Sequence, residues 1–90
     1  MESIIQSEKE CYFCGTIENL HCHHCLPGRN RENAEKYGLK IWLCDKHHNM
    51  SDFSVHFNPI LMDLTKKIAQ LYFEKAFDKD FEKIFRRNYL

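Results

Sequence analysis

Ninety residues, with thirteen Lys and Arg balancing thirteen Asp and Glu, make at most one domain, since a single core serves roughly 100 to 200 residues. The neutral sum excludes a non-specific basic nucleic-acid coat, and 43% hydrophobic with 29% charged residues excludes a disordered chain. No apolar run of about 18 residues occurs, and the opening MESIIQSEKE has no basic-then-apolar leader pattern, so a soluble, unexported, cytoplasmic protein without a membrane partner is expected.

Five Cys and six His are the compositional oddity. In a reducing compartment such clusters read as metal sites before disulfides. All five Cys and five of the six His fall between Cys11 and His48, a stretch too short to stabilise itself by apolar burial alone. The chain divides into a metal-ligand-rich half, 11–56, and a helical half, 57–90. Positive charge is displaced from the N-terminus: residues 1–20 sum to minus three, 21–56 to plus one and 57–90 to plus two.

In chain order, Cys11-Tyr-Phe-Cys14-Gly15 has the form of a zinc knuckle, two thiolates two residues apart with a glycine for the turn behind them. Leu20 to Leu26 reads as a strand, with His21 and His23 on one face by the two-residue period and Pro27-Gly28 ending it. Arg31 to Tyr37 fits two helical turns, with Asn30 as N-cap and Gly38 as the stop. Leu39 to Leu43 reads as a second strand, and Asp45 starts a short helix carrying His47 and His48. Arg29, Arg31, Lys36 and Lys40 cluster between the two ligand groups and are the candidate nucleic-acid contacts.

Asn58-Pro59 starts a helix in which Leu61, Leu64, Ile68, Leu71 and Tyr72 recur at helical spacing to about Phe77. Asp78 or Asp80 starts a last helix with Phe81, Ile84 and Phe85 on its apolar side. Eight of the twelve aromatic residues follow position 52, so this half is expected to supply most of the core. A second stripe, Met62, Ala69, Phe73 and Ala76, either packs on the last helix or joins two chains as a homodimer.

Cys44-Asp-Lys-His47 repeats the knuckle's two-residue gap, so Cys11, Cys14, Cys44 and His47 can complete one tetrahedral structural zinc site. The competing set is Cys11, Cys14, Cys22 and Cys25. It leaves Cys44 and His47 unused, and Cys22 and Cys25 also read as small, partly buried apolar residues.

The segments Cys11-x-x-Cys14, Leu20-His-Cys-His-His24 and Trp42-Leu-Cys44-Asp-Lys-His47-His48 resemble the HNH endonuclease family with its ββα-metal site. The resemblance extends to small phage or prophage HNH proteins through Glu35-Lys-Tyr-Gly-Leu39, His47-His-Asn-Met-Ser51, Val55-His-Phe-Asn58 and Asn88-Tyr-Leu90. It implies an α+β fold, a zinc-stabilised ββα-metal motif followed by C-terminal helices. It also implies a metal-dependent endonuclease or nickase that hydrolyses DNA in a bacterial host cell.

In that pattern His23 and His48 hold a catalytic divalent ion (Mg, Mn, Zn or Ni), and His24 is the general base. His47 takes the place of the last zinc-site cysteine. The middle Asn of the pattern is replaced by Gly38 and Leu39, with Asn30 or Asn33 as loop candidates, and Cys22 stands where a carboxylate is usual beside the His pair. His56 is a further candidate ligand or phosphate contact. The alternative class is a non-catalytic zinc-stabilised module that binds DNA or a phage packaging or regulatory protein.

Overall fold

The computed structural model describes all 90 residues. Strands β1 (Leu20–His24) and β2 (Lys40–Cys44) are joined through a 3-10 turn, Gly28–Asn30, and helix α1 (Arg31–Lys36). β2 runs directly into α2 (Asp45–His48), and α3 (Pro59–Ala76) and α4 (Phe81–Phe85) follow. The strands are antiparallel, with His21 opposite Leu43, Cys22 opposite Trp42, His23 opposite Ile41 and His24 opposite Lys40. This is a small α+β fold. No helix is long and apolar enough to cross a membrane.

The N-terminal segment closes the outer edge of β2. Ile4 N–H donates to the Gly38 carbonyl at 3.0 Å and Tyr12 N–H to the Trp42 carbonyl at 2.8 Å, while Trp42 N–H donates to Gln6 Oε1 at 2.8 Å. An edge paired in this way no longer offers itself to another chain. Gly38 makes the close approach possible: its φ is +70°, and a Cβ there would collide with the Glu2 carbonyl oxygen. The outer edge of β1 has no partner strand.

The capping residues act as their chemistry predicts. Asn58 Oδ1 accepts from the N–H groups of Ile60 and Leu61, with Pro59 at the first helical position, which satisfies donors that a helix start leaves free. Asp80 caps α4 by accepting from Lys83 N–H. Asn30 precedes α1 but makes no side-chain cap bond. Its Nδ2 instead donates to the Phe85 carbonyl at 3.2 Å, tying the loop to α4.

Phe73, fully buried, joins the two halves. Its ring lies 5.2 Å from Tyr37, 5.2 Å from Phe77, 5.4 Å from Phe81 and 5.8 Å from Phe85. Such a ring contributes about 1.5 to 3 kcal/mol by burial alone.

Three expectations are corrected. β1 ends at His24 rather than Leu26, because Cys25 and Leu26 turn inward ahead of Pro27 and are buried. On α3 the buried residues are Thr65, Ala69, Gln70 and Phe73, whereas Leu64, Leu71 and Tyr72 of the expected stripe are exposed. Thr65 meets His23 of β1 at 3.3 Å, and the aromatic cluster around Phe73 turns this face of α3 inward. The helical half does not supply most of the core either: eleven of the fifteen core residues come from Ile5 through Val55.

Candidate metal centres

The knuckle folds locally. Gly15, at φ +78°, donates its N–H to the Cys11 carbonyl at 2.8 Å, and Cys11 N–H donates to the Thr16 carbonyl at 2.8 Å. The Tyr12 bond to Trp42 then docks the knuckle beside the end of β2, where Cys44 and His47 stand. The ligand atoms of Cys11, Cys14, Cys44 and His47 lie within 4.8 Å of one another, close enough to hold a metal such as zinc.

The edges of this group can be compared with a tetrahedron. Zn–S near 2.3 Å and Zn–N near 2.0 to 2.1 Å give S···S of about 3.8 Å and S···N of about 3.6 Å. Cys14 Sγ and Cys44 Sγ are 3.8 Å apart, and Cys11 Sγ is 3.5 Å from His47 Nδ1. The Cys44 Sγ to His47 Nδ1 edge is shorter, at 3.1 Å. Burial pushes the Cys11 thiol up, but the amide groups of Cys44, Cys14 and Phe13 outweigh it and bring its pKa down to about 6. Burial, with the crowding of the other sulfurs, pushes the Cys44 thiol up. Three sulfurs and an imidazole packed together are stabilised by a cation at their centre.

Cys22 and Cys25 do not join this group. Cys25 is buried in the core and Cys22 is exposed opposite Trp42, so the all-cysteine alternative does not form.

A second group assembles around His48 at the end of α2. The ligand atoms of His23, His48 and His56 also lie within 4.8 Å of one another. His23 enters from β1 and is pinned by Thr65 of α3, its Nε2 3.3 Å from Thr65 Oγ1. His48 ends α2. His56 is brought back to it because His56 N–H donates to the His48 carbonyl at 3.1 Å, alongside a 2.8 Å bond from Val55 N–H to the His47 carbonyl. The His48 and His56 Nε2 atoms are 3.1 Å apart, within the span of about 2.9 to 3.4 Å for two imidazoles on one ion at metal–N distances near 2.0 to 2.1 Å.

No protein-family model, no curated protein and no solved structure matches this chain.

Electrostatics suit the second group to a metal. Burial, then His48, His56 and His24, bring the pKa of His23 down to about 3, and burial with His56 and His21 brings His48 down to about 4. Both imidazoles are therefore neutral at physiological pH, the form that ligates. His48 Nδ1 is buried without a hydrogen-bond partner. His21 stacks on His48 at 5.1 Å but stays exposed, outside the group.

His24 leaves β1 on the opposite face from His23. Its Nε2 is 2.9 Å from Glu35 Oε1, and Lys40 Nζ, opposite His24 across the hairpin, donates to Glu35 Oε2 at 2.8 Å. Hydrogen bonds from Lys40 and His24 hold the Glu35 carboxyl down at about 2. His24, Glu35, Arg29, Arg31, Glu32 and Gly28 line an open cavity of about 520 Å³.

The basic cluster is thus divided by the fold. Arg29 and Arg31 face that cavity, Lys40 is taken by Glu35, and Lys36 lies over the Tyr37 ring at 5.5 Å. Asn30 Nδ2 donates to the Phe85 carbonyl of α4, and Asn33 takes part only through its backbone carbonyl, which accepts from Tyr37 N–H, so neither bonds His24. Glu35 is the site residue to which the sequence reading gave no role. Its only signal was its place at the head of the Glu35-Lys-Tyr-Gly-Leu39 segment that carries part of the family resemblance.

Proposed function

We propose that this chain is a metal-dependent endonuclease of HNH type, hydrolysing DNA phosphodiester bonds with His24 as general base. The observation that carries the reading is the convergence of His23, His48 and His56 on one point, with a carboxylate-held His24 as the next residue along β1. The order hairpin, then short helix with a metal-competent His at its end, supports it.

On this reading His23, His48 and His56 hold the divalent ion, which when bound neutralises charge on the phosphate and leaving oxygen. Glu35 fixes the other partner. A carboxylate at Nε2 makes that nitrogen the donor, so His24 Nδ1 is left unprotonated and accepts the proton of the attacking water. Arg29 and Arg31 offer guanidinium groups to neighbouring phosphates. The reading requires the scissile phosphate to straddle the open edge of β1, between the faces that carry His23 and His24.

Nicking of supercoiled plasmid in magnesium, manganese, nickel or zinc tests this. The wild type is expected to nick and a chelator to stop it. His24→Ala is expected to keep its metal and lose about 10² to 10⁴ in single-turnover rate. Wild-type rates in His24→Ala overturn the assignment. A metal-loaded wild type that cleaves no DNA overturns the nuclease reading in favour of a zinc-stabilised binding module.

A further inference from the structure

We propose that Phe53 and Phe57 form a stacking platform for unpaired nucleobases beside the three-histidine group, so that the preferred substrate is single-stranded or locally opened nucleic acid. This rests on the nuclease reading above and adds its substrate class. The two phenylalanines flank His56 in the chain, and both rings stand in solvent, 71% and 66% exposed.

Their exposure is built in. The backbone beneath them is braced: Ser51 Oγ donates to the Lys46 carbonyl at 2.6 Å, Phe53 N–H donates to Ser51 Oγ at 3.2 Å, and Ser54 Oγ donates to the Ser51 carbonyl at 2.7 Å. Phe57 N–H donates to the Ser54 carbonyl at 3.2 Å. Ser54 and Val55, between the rings, are buried and anchor the loop to the core. A loop fixed at its root that holds two phenyl rings outward presents them to a partner.

Chemistry selects the partner. Phe53 and Phe57 stand on either side of His56 in the chain, and His56 belongs to a group suited to an ion that binds phosphate, so on this reading their loop lies along the path of the nucleotides that flank the bound phosphate. From Asp45 at the start of α2 to Lys67 the chain carries three Lys against three Asp, and Asp63 is paired to Lys67 at 3.0 Å, so this stretch has no net negative charge to repel a polyanion. A phenyl face has no polar atom to demand a particular base, and every base has a π-face, which makes the contact tolerant of sequence. Bases inside a duplex are already stacked, so only unpaired ones reach the rings.

The test is fluorescence anisotropy of labelled oligothymidine, of the same strand with abasic sites, and of a hairpin duplex, against wild type, Phe53→Ala, Phe57→Ala and Phe53→Trp. Because both side chains are exposed, folding is expected to survive, as circular dichroism will show. Each alanine variant is expected to weaken oligothymidine binding by between about five-fold and a hundred-fold, with Trp restoring it and duplex affinity little changed. Equal losses on the abasic strand, or tighter wild-type binding to duplex, overturn the platform. So does a wild-type dimer in sedimentation equilibrium that Phe57→Ala converts to monomer, because the rings then serve a second copy. Phe-dependent strand binding without cleavage in any metal upholds the platform and overturns the nuclease reading.

Discussion

Replacing Cys44 by Ser is expected to remove a metal from a site that Cys44 does not touch. Helix α2 has four residues, with a donor of the zinc-type group at His47 and a donor of the three-histidine group at His48. A helix that short has no stability of its own. It is held by His47 at the first group and by the Val55 and His56 bonds to the His47 and His48 carbonyls. His56 reaches the second group through the same bond, so only His23 is placed independently of α2.

A structural zinc supplies about 10 to 16 kcal/mol, whereas roughly 0.05 to 0.15 kcal/mol per residue gives a domain of this length about 5 to 13 kcal/mol in all. Losing zinc therefore matches or exceeds the stability available to keep α2 in place. Even a net cost of ~3 kcal/mol leaves about one molecule in 150 with α2 formed, and the apparent affinity of the second site falls by that factor. Calorimetric titration with manganese, alongside zinc content by atomic absorption, reads both sites. A Cys44→Ser protein that has lost its zinc yet binds manganese within about two-fold of wild type would refute the coupling argued from α2.

Two further outcomes follow from the packing. Phe73→Ala removes the ring shared by Tyr37, Phe77, Phe81 and Phe85, and urea unfolding should show a loss of about 3 to 5 kcal/mol; a loss below ~1 kcal/mol contradicts its place at the junction of the halves. Native alkylation with iodoacetamide should label Cys22 alone and slowly. Partial desolvation by its neighbours raises the exposed Cys22 thiol against the pull of Lys40, and burial holds the Cys25 thiol protonated, while a metal held by the zinc-type group would protect the other three. Peptide mapping that finds Cys14 or Cys44 labelled as fast as Cys22 argues against metal protection.

The zinc-type group was legible in the sequence because its information is local: two pairs with the same two-residue gap, one behind a glycine turn and one at a strand end. That His23 and His48 share a group was expected from the family resemblance, and their ligand atoms do lie within 4.8 Å of one another. His56 was expected only as a further candidate ligand or phosphate contact, and the structure brings it into the group, but its position could not be read from the sequence. It is set by backbone bonds from an irregular loop to the His47 and His48 carbonyls, and no periodicity announces those.

Glu35 escaped for a related reason. Its partners His24 and Lys40 lie opposite each other only once the hairpin register exists. The register also took Lys40 out of the basic cluster. On α3 the periodicity was real but double, since Leu61, Leu64, Ile68 and Leu71 lie beside Met62, Thr65, Ala69 and Phe73 on the helix. Tertiary contacts, the Thr65 hydroxyl at His23 and the aromatic cluster at Phe73, chose between them.

The most direct test of the account is the metal content of the folded chain after dialysis against zinc, counted by native mass spectrometry for wild type, His23→Ala and His56→Ala. Two separate groups of donors predict two ions per wild-type chain and one in each variant, the remaining ion being the one that Cys11, Cys14, Cys44 and His47 hold. A wild type that binds a single ion, or histidine variants that still bind two, would contradict the three-histidine centre on which the proposed chemistry depends.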